Sequence, residues 1–233
     1  MTTLTRRTVL IGGAVGAVAA LTGPAPTALA APASARGGSA VARTWNRDTS
    51  RNGWRIDPRI VQPFYVSGAA QTVTLHPAAA QVLLHVVRRW HYEIQPLGDG
   101  SGTTLHGHTT DRTVYADYES NHLSGSAVAL HPGAFPAGGG DGLYPHQQRI
   151  VGDILADCDG LVTWGGDLKP AKHGHFHINV PADSIQLKEL AKRLGDPTGE
   201  RPYDPAGAPA DPADPARRQR AGRARSLARR NEH

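Results

Sequence analysis

His173-Gly174-His175-Phe176-His177 is the stretch that decides the fold. If it is extended, residues 173, 175 and 177 point to one face, and Phe176 begins an apolar strand running to Val180 on the other. Upstream, Leu161-Val162-Thr163-Trp164 reads as a neighbouring strand and Ala127 to Leu130 as a short buried one, while Thr72-Val73-Thr74-Leu75 alternates like a fourth. Between them lie segments of helical period. Pro77 opens one with Val82, Leu83, Val86, Val87 and Trp90, which Pro96 bounds. Pro145 opens another with Ile150, Val151, Ile154, Leu155 and Cys158, ended by Gly160. Asp183 is placed to cap a third carrying Ile185, Leu187, Leu190, Ala191 and Leu194, which Gly195 stops. Residues 97–112 read as a glycine- and histidine-rich loop. Strands and helices mix without regular alternation, so the expectation is an α+β fold with a small, mainly antiparallel sheet flanked by helices.

The whole chain has 233 residues, 39% of them hydrophobic, enough for one domain with a core plus tails. A lone cysteine, Cys158, excludes an internal disulfide framework. The net charge of +5 belongs to the ends: Arg6 and Arg7, with the seven arginines and one glutamate of residues 217–233, account for +8 and leave −3 for the rest. Residues 1–30 join Arg6-Arg7, an apolar run from Val9 to Leu21 and Ala28-Leu29-Ala30, the layout of a cleaved export signal too short to span a bilayer. The paired arginines resemble a twin-arginine signal, which exports folded proteins; the alternative is an ordinary secretory signal. Both place the mature chain outside the cytoplasm, secreted or in a bacterial envelope. Residues 31–52 read as a linker and 53–195 as the folded domain. Residues 196–233 read as a disordered Pro/Ala-rich, then Arg-rich tail, solvated or drawn to anionic envelope polymers. No base-reading module points to nucleic acid.

Three histidines at alternate strand positions are the chemical signal, because neutral imidazoles converging on one point are ligands for zinc or copper. His106-Gly107-His108 repeats the spacing in a loop, where its geometry is unconstrained. A serine or cysteine nucleophile has little support: Ser120, Ser124 and Ser126 form no Gly-x-Ser-x-Gly elbow, and Cys158 falls on an apolar helical face.

Across residues 50–195 the chain resembles the zinc D-alanyl-D-alanine carboxypeptidases and dipeptidases of the VanY/VanX type, which trim peptidoglycan. The resemblance rests on Asn52-Gly53-Trp54, the helix around 77–90, Ser120-Asn121-His122 with Gly125 and Ala127, His131-Pro132, Gln148, Trp164-Gly165-Gly166-Asp167 and His175-Phe176. It implies zinc held by His122 and His175, a third ligand at position 129 and a general base at position 172. Those two positions hold Ala129, which has no donor atom, and Lys172, a cation where a carboxylate is required. Substitutes for the ligand are His177, His173 or His131, although His131 lies two strand residues, roughly 6.5 Å, past position 129. Asp167 is the nearest alternative base. Arg112, with Ser120, is the candidate for holding substrate, and His108 is an alternative to Arg112.

The resemblance therefore implies an exported, cell-wall-directed domain that is catalytically degenerate and binds peptidoglycan stem peptides. Two alternatives stay open. One is an active zinc metallopeptidase with a rearranged histidine-based site; the other is an envelope module that binds zinc or copper.

Overall fold

The computed structural model describes residues 41–195, except 99, 101, 140 and 141, and residues 211–232. The expected export signal, the first part of the linker and the proline-rich part of the tail lie outside them. The architecture is α+β, with small antiparallel sheets flanked by helices. The central sheet has the order β4 (Leu105–His106), β6 (Ala127–Leu130), β8 (His175–Ile178), β7 (Val162–Trp164), antiparallel throughout. Its register sets Val128 opposite Phe176 and Phe176 opposite Trp164; in the other set, His106 opposes Ala129, Ala129 opposes His175, and His177 stands between Ala127 and Thr163.

The strand period of two sorts these rows onto two faces. Phe176 packs edge-on against Trp90 of α1 (Pro77–Glu93), with ring centroids 5.8 Å apart. Val128, Leu130, Ile178, Leu83, Val86 and Val87 complete this core, all fully buried. Helix α1 starts where expected: the His76 ring accepts the Ala78 N–H at 3.1 Å and Pro77 fills the first turn. Helix α2 (Pro145–Asp157) and helix α3 (Ile185–Gly195) cover the same core. The α3 start differs from expectation by one residue, since the Leu187 N–H donates to Ser184 Oγ at 3.3 Å, making Ser184 rather than Asp183 the cap.

Two further strand pairs were not expected. Strand β2 (Gln62–Val66) forms a hairpin with β3 (Gln71–Leu75); it carries Pro63 and an exposed Tyr65, so it lacks the alternation that betrays a half-buried strand. Strand β1 (Arg43–Thr44) pairs with β5 (Thr113–Val114). The domain therefore begins about ten residues before the expected boundary at 53. Trp45 explains this, being buried with Val114 and Leu123. Likewise the expected loop 97–112 contains β4, recruited by pairing with β6.

The tail, expected to be disordered, is ordered toward its end. Helix α4 (Pro215–Asn231) replaces its last part and packs on α2. Asp214 caps it, accepting the Ala216 N–H at 2.7 Å and the Arg217 N–H at 3.1 Å, with Pro215 in the first turn. The proline density that argued against structure thus ends where proline is tolerated. Ala224 and Ala228 are buried, and Gly152 of α2 lies close to Ala221, so small residues let the two helices approach. Arg217 and Arg89 both bind the carboxylate of Asp153, which is 2% exposed, and Arg89 also reaches Asp157 at 2.9 Å. A buried carboxylate is tolerable only with such partners, and α4 supplies one.

Candidate functional site

The other face of the central sheet carries the histidines. His175 and His177 are fully buried and His122 is 4% exposed. His122 ends the 3-10 turn Asp117–His122, which leads through Gly125 into β6. Gly125 has φ of 69°, and a Cβ there would lie 2.7 Å from the His76 nitrogen, so the turn requires glycine. The turn is locked to the chain entering the domain. Arg51 N–H donates to Ser120 Oγ, Asn52 N–H to Asn121 Oδ1, Ser50 Oγ to Ser124 Oγ, and the Asn52 amide reaches both Ser126 Oγ and the Ile178 carbonyl. The two segments Asn52-Gly53-Trp54 and 120–127 therefore fold as one unit that aims His122 at β8.

The imidazoles form a single directed chain. The His122 Nδ1–H donates to the Gly107 carbonyl at 2.8 Å, which fixes its tautomer because a carbonyl can only accept. His122 Nε2 then accepts from His175 Nδ1 at 3.3 Å, and His175 Nε2 accepts from His177 Nδ1 at 3.0 Å. His177 Nε2 meets Glu232 Oε1, just beyond α4, at 2.7 Å, and one proton lies in that contact. The direction of every bond follows from the one carbonyl at the start. Gly107 can take that position because it has no side chain: a Cβ would stand 2.4 Å from the Thr74 carbonyl oxygen.

Burial holds His122 and His175 neutral, well below the ordinary histidine pKa, helped by the neighbouring imidazoles and Lys172. His106, in register with Ala129 and 5.1 Å from the His122 ring, is lowered by burial and by Lys172. Burial would push the Glu232 carboxyl upward, but its hydrogen bond and attraction to His177, with further help from Thr163 and Arg51, bring it below the ordinary glutamate value. The Lys172 ammonium is bound to Glu119 Oε1 at 2.5 Å, and Glu119 Oε2 accepts the Tyr115 N–H. Tyr118, whose phenol is pushed up by burial, lays its ring 4.8 Å from His175 and donates to the Pro170 carbonyl. Beside this wall opens a cleft of about 450 Å³ lined by Arg43, Arg51, Asp117, Tyr118, Lys169 and Glu232.

The structure thus brings together His122, His175 and His177 and separates the other candidates. The His173 ring turns away onto Trp164, at 5.6 Å. His131, at φ 44°, stacks with Trp90 on the opposite face. Asp167 is bound by Arg225 of α4, whose guanidinium lies over Trp164. Arg112 donates to the Trp45 and Arg47 carbonyls, and Ser120 Oγ donates to the Asp117 carbonyl; both brace the fold. His108 is partly buried beside His106, its N–H on the Thr74 carbonyl. Sequence reasoning missed Glu232 and Glu119. Glu119 had a signal, because it lies one helical turn before His122 and carries the charge Lys172 needs. Glu232 had none in its own neighbourhood.

Does zinc fit these residues? His122 Nε2 and His175 Nδ1 are spaced like two nitrogens on a tetrahedral zinc, where Zn–N of about 2.0–2.1 Å gives an N···N distance near 3.3 Å. The rest of the set does not fit. Ala129 stands between His106 and His175 without a donor, His177 meets the far edge of the His175 ring, and Lys172 is close by. Among the described residues no group of three or more His, Cys, Asp or Glu side chains is arranged to hold a metal ion.

No family model matches the chain, and no curated protein or solved structure matches it.

Proposed function

We propose that the chain is an exported, cell-wall-directed domain similar to the zinc D-Ala-D-Ala carboxypeptidases, in which the catalytic site has become a metal-free structural relay and the neighbouring cleft binds peptidoglycan stem peptides. One observation carries this reading: where the third ligand and the base would stand, Ala129 has no donor atom and the Lys172 ammonium is paired with Glu119. The Arg51 and Lys169 side chains of the cleft suit the carboxylates of a stem peptide, and Tyr118 offers it an aromatic wall. Export rests on the sequence of residues 1–30. Among the described residues, no helix is long and apolar enough to cross a membrane.

A second reading, a zinc site rebuilt on histidines, is favoured by the 3.3 Å spacing and by His106 in the row beside Ala129. Zinc content and calorimetry on the wild-type protein, His175→Ala and Ala129→Asp separate the two. The first reading expects no tight zinc in the wild type and binding of a peptide ending in D-Ala-D-Ala with chelator present, without cleavage. It also expects Ala129→Asp to be destabilised without metal and to gain thermal stability when zinc is added, since the new carboxylate faces His175. One tight equivalent in the wild type, lost in His175→Ala, would replace it with the second.

A further inference from the structure

The seven arginines of α4 divide into two sets. Arg217 and Arg225 turn inward to Asp153 and Asp167, completing ion pairs that hold the helix to the domain. Arg218, Arg220, Arg223, Arg229 and Arg230 are exposed, and no carboxylate of the described residues lies within ion-pair reach of them. At about 100° per residue, Arg220, Arg223 and Arg230 fall within an arc of about 80°, and Arg218 and Arg229 within about 20° on the other side of the helix. From Arg220 to Arg230 the helix rises about 15 Å. Arg218 also lines a groove of about 340 Å³ between α2 and α4, joined there by Arg149 of α2. Asp159, which lines a shallow groove with Arg220 and Arg223, is already bound by Arg193 at 2.6 Å.

This is not the solvated tail that the charge run suggests. A folded helix with no lysine, anchored by two of its arginines, holds the other five at fixed spacings. Arginine in place of lysine matters, because its planar fork binds an oxyanion through two parallel N–H bonds. Fixed cations over about 15 Å match a linear polyanion better than a single small anion, since several contacts share one ordering cost.

We infer that the exposed arginine face of α4 is a docking surface for a linear phosphodiester polymer of the cell envelope, without bases, of the poly(glycerol phosphate) kind. The choice of an envelope polymer over nucleic acid rests on the exported reading above; the surface itself uses no residue of the histidine site. The polymer holds the domain in the wall while the cleft meets stem peptides.

The test measures binding of the full chain to poly(glycerol phosphate) across a salt series. Arg220→Gln/Arg223→Gln/Arg230→Gln is compared with a control that removes the same charge elsewhere, Arg55→Gln/Lys188→Gln/Lys192→Gln. The arginine triple should lose about tenfold or more in affinity near 0.1 M salt and show a shallower dependence of log K on log salt, in the manner of lost phosphate contacts. The control should lose less than about twofold, and both should keep the wild-type circular dichroism and melting temperature. Equal losses in the two triples would overturn the docking surface in favour of net charge. Tighter binding of single-stranded DNA, or of phosphatidylglycerol vesicles, than of the polymer would overturn the choice of partner. The arginine triple should bind the D-Ala-D-Ala peptide like the wild type, because none of its three positions lines the cleft, so loss of peptide binding and loss of polymer binding are read separately.

Discussion

The two faces of the central sheet are built from alternate residues of the same strands, and they solve opposite problems. On one side Val128, Leu130, Phe176 and Ile178 meet α1 and need only shape and volume. On the other, Ala127 and Ala129 make room for His122, His175 and His177, which need a partner for every ring nitrogen. The apolar face is satisfied by contacts without direction, which any apolar neighbour of the right volume can make. The histidine face is satisfied by a carbonyl at Gly107 and a carboxylate at Glu232, more than a hundred residues apart. A hydrophobic face tolerates approximate partners, whereas a polar one is expensive to leave incomplete.

The largest effect should come from the apolar face. Phe176→Ala removes a ring fully buried against Trp90 and should cost about 3–5 kcal/mol in guanidinium denaturation, uniformly across pH. A loss below about 1 kcal/mol would break the contrast by showing that this face repacks freely.

The histidine face should reveal itself through pH. The unfolded chain's counterparts of His122 and His175 take up protons as pH falls through about 6.5, while the folded rings stay neutral well below it. The unfolded state then binds more protons, so stability is full above about 6.5 and falls below it. The slope is about 1.4 kcal/mol per pH unit for each ring until its lowered pKa is reached. Denaturation midpoints between pH 8 and 5 should therefore be flat and then decline, with Phe176→Ala displaced downward but parallel. A flat profile to pH 5 would show that these rings are not held neutral.

The smallest effect sharpens the comparison at its far end. Glu232→Gln keeps a hydrogen-bonding side chain at His177 but removes the charge, and should cost about 1 kcal/mol. Glu232→Ala, which leaves a buried ring nitrogen without a partner, should cost more, about 1–3 kcal/mol. If both variants match the wild type in thermal melts, the contact between α4 and the site contributes nothing.

Much of the apolar side was legible in advance. Strand β6 lies where the short buried run Ala127 to Leu130 indicated, β7 and β8 agree within two residues, and α1 and α2 begin at Pro77 and Pro145 as their prolines signalled. Those features are local, and their period is written in consecutive residues. The alternation of 175 and 177 onto one face was equally legible. The departure of His173 was not, because the strand begins only at His175 and the ring finds Trp164 instead. Strand β1 and strand β4, two residues each, exist only because a partner strand accepts them.

By itself the sequence determined which residues alternate and where helices start, and it showed Ala129 and Lys172 at positions the resemblance reserves for a ligand and a base. Tertiary structure alone decided the rest: that Lys172 is matched by Glu119, that His106 joins the row of Ala129 and His175, and that an arginine-rich tail becomes a helix delivering Glu232 to His177. Hydrophobic period is a property of neighbours along the chain. The pairing of a buried charge or ring nitrogen depends on whatever group the fold brings within hydrogen-bond distance.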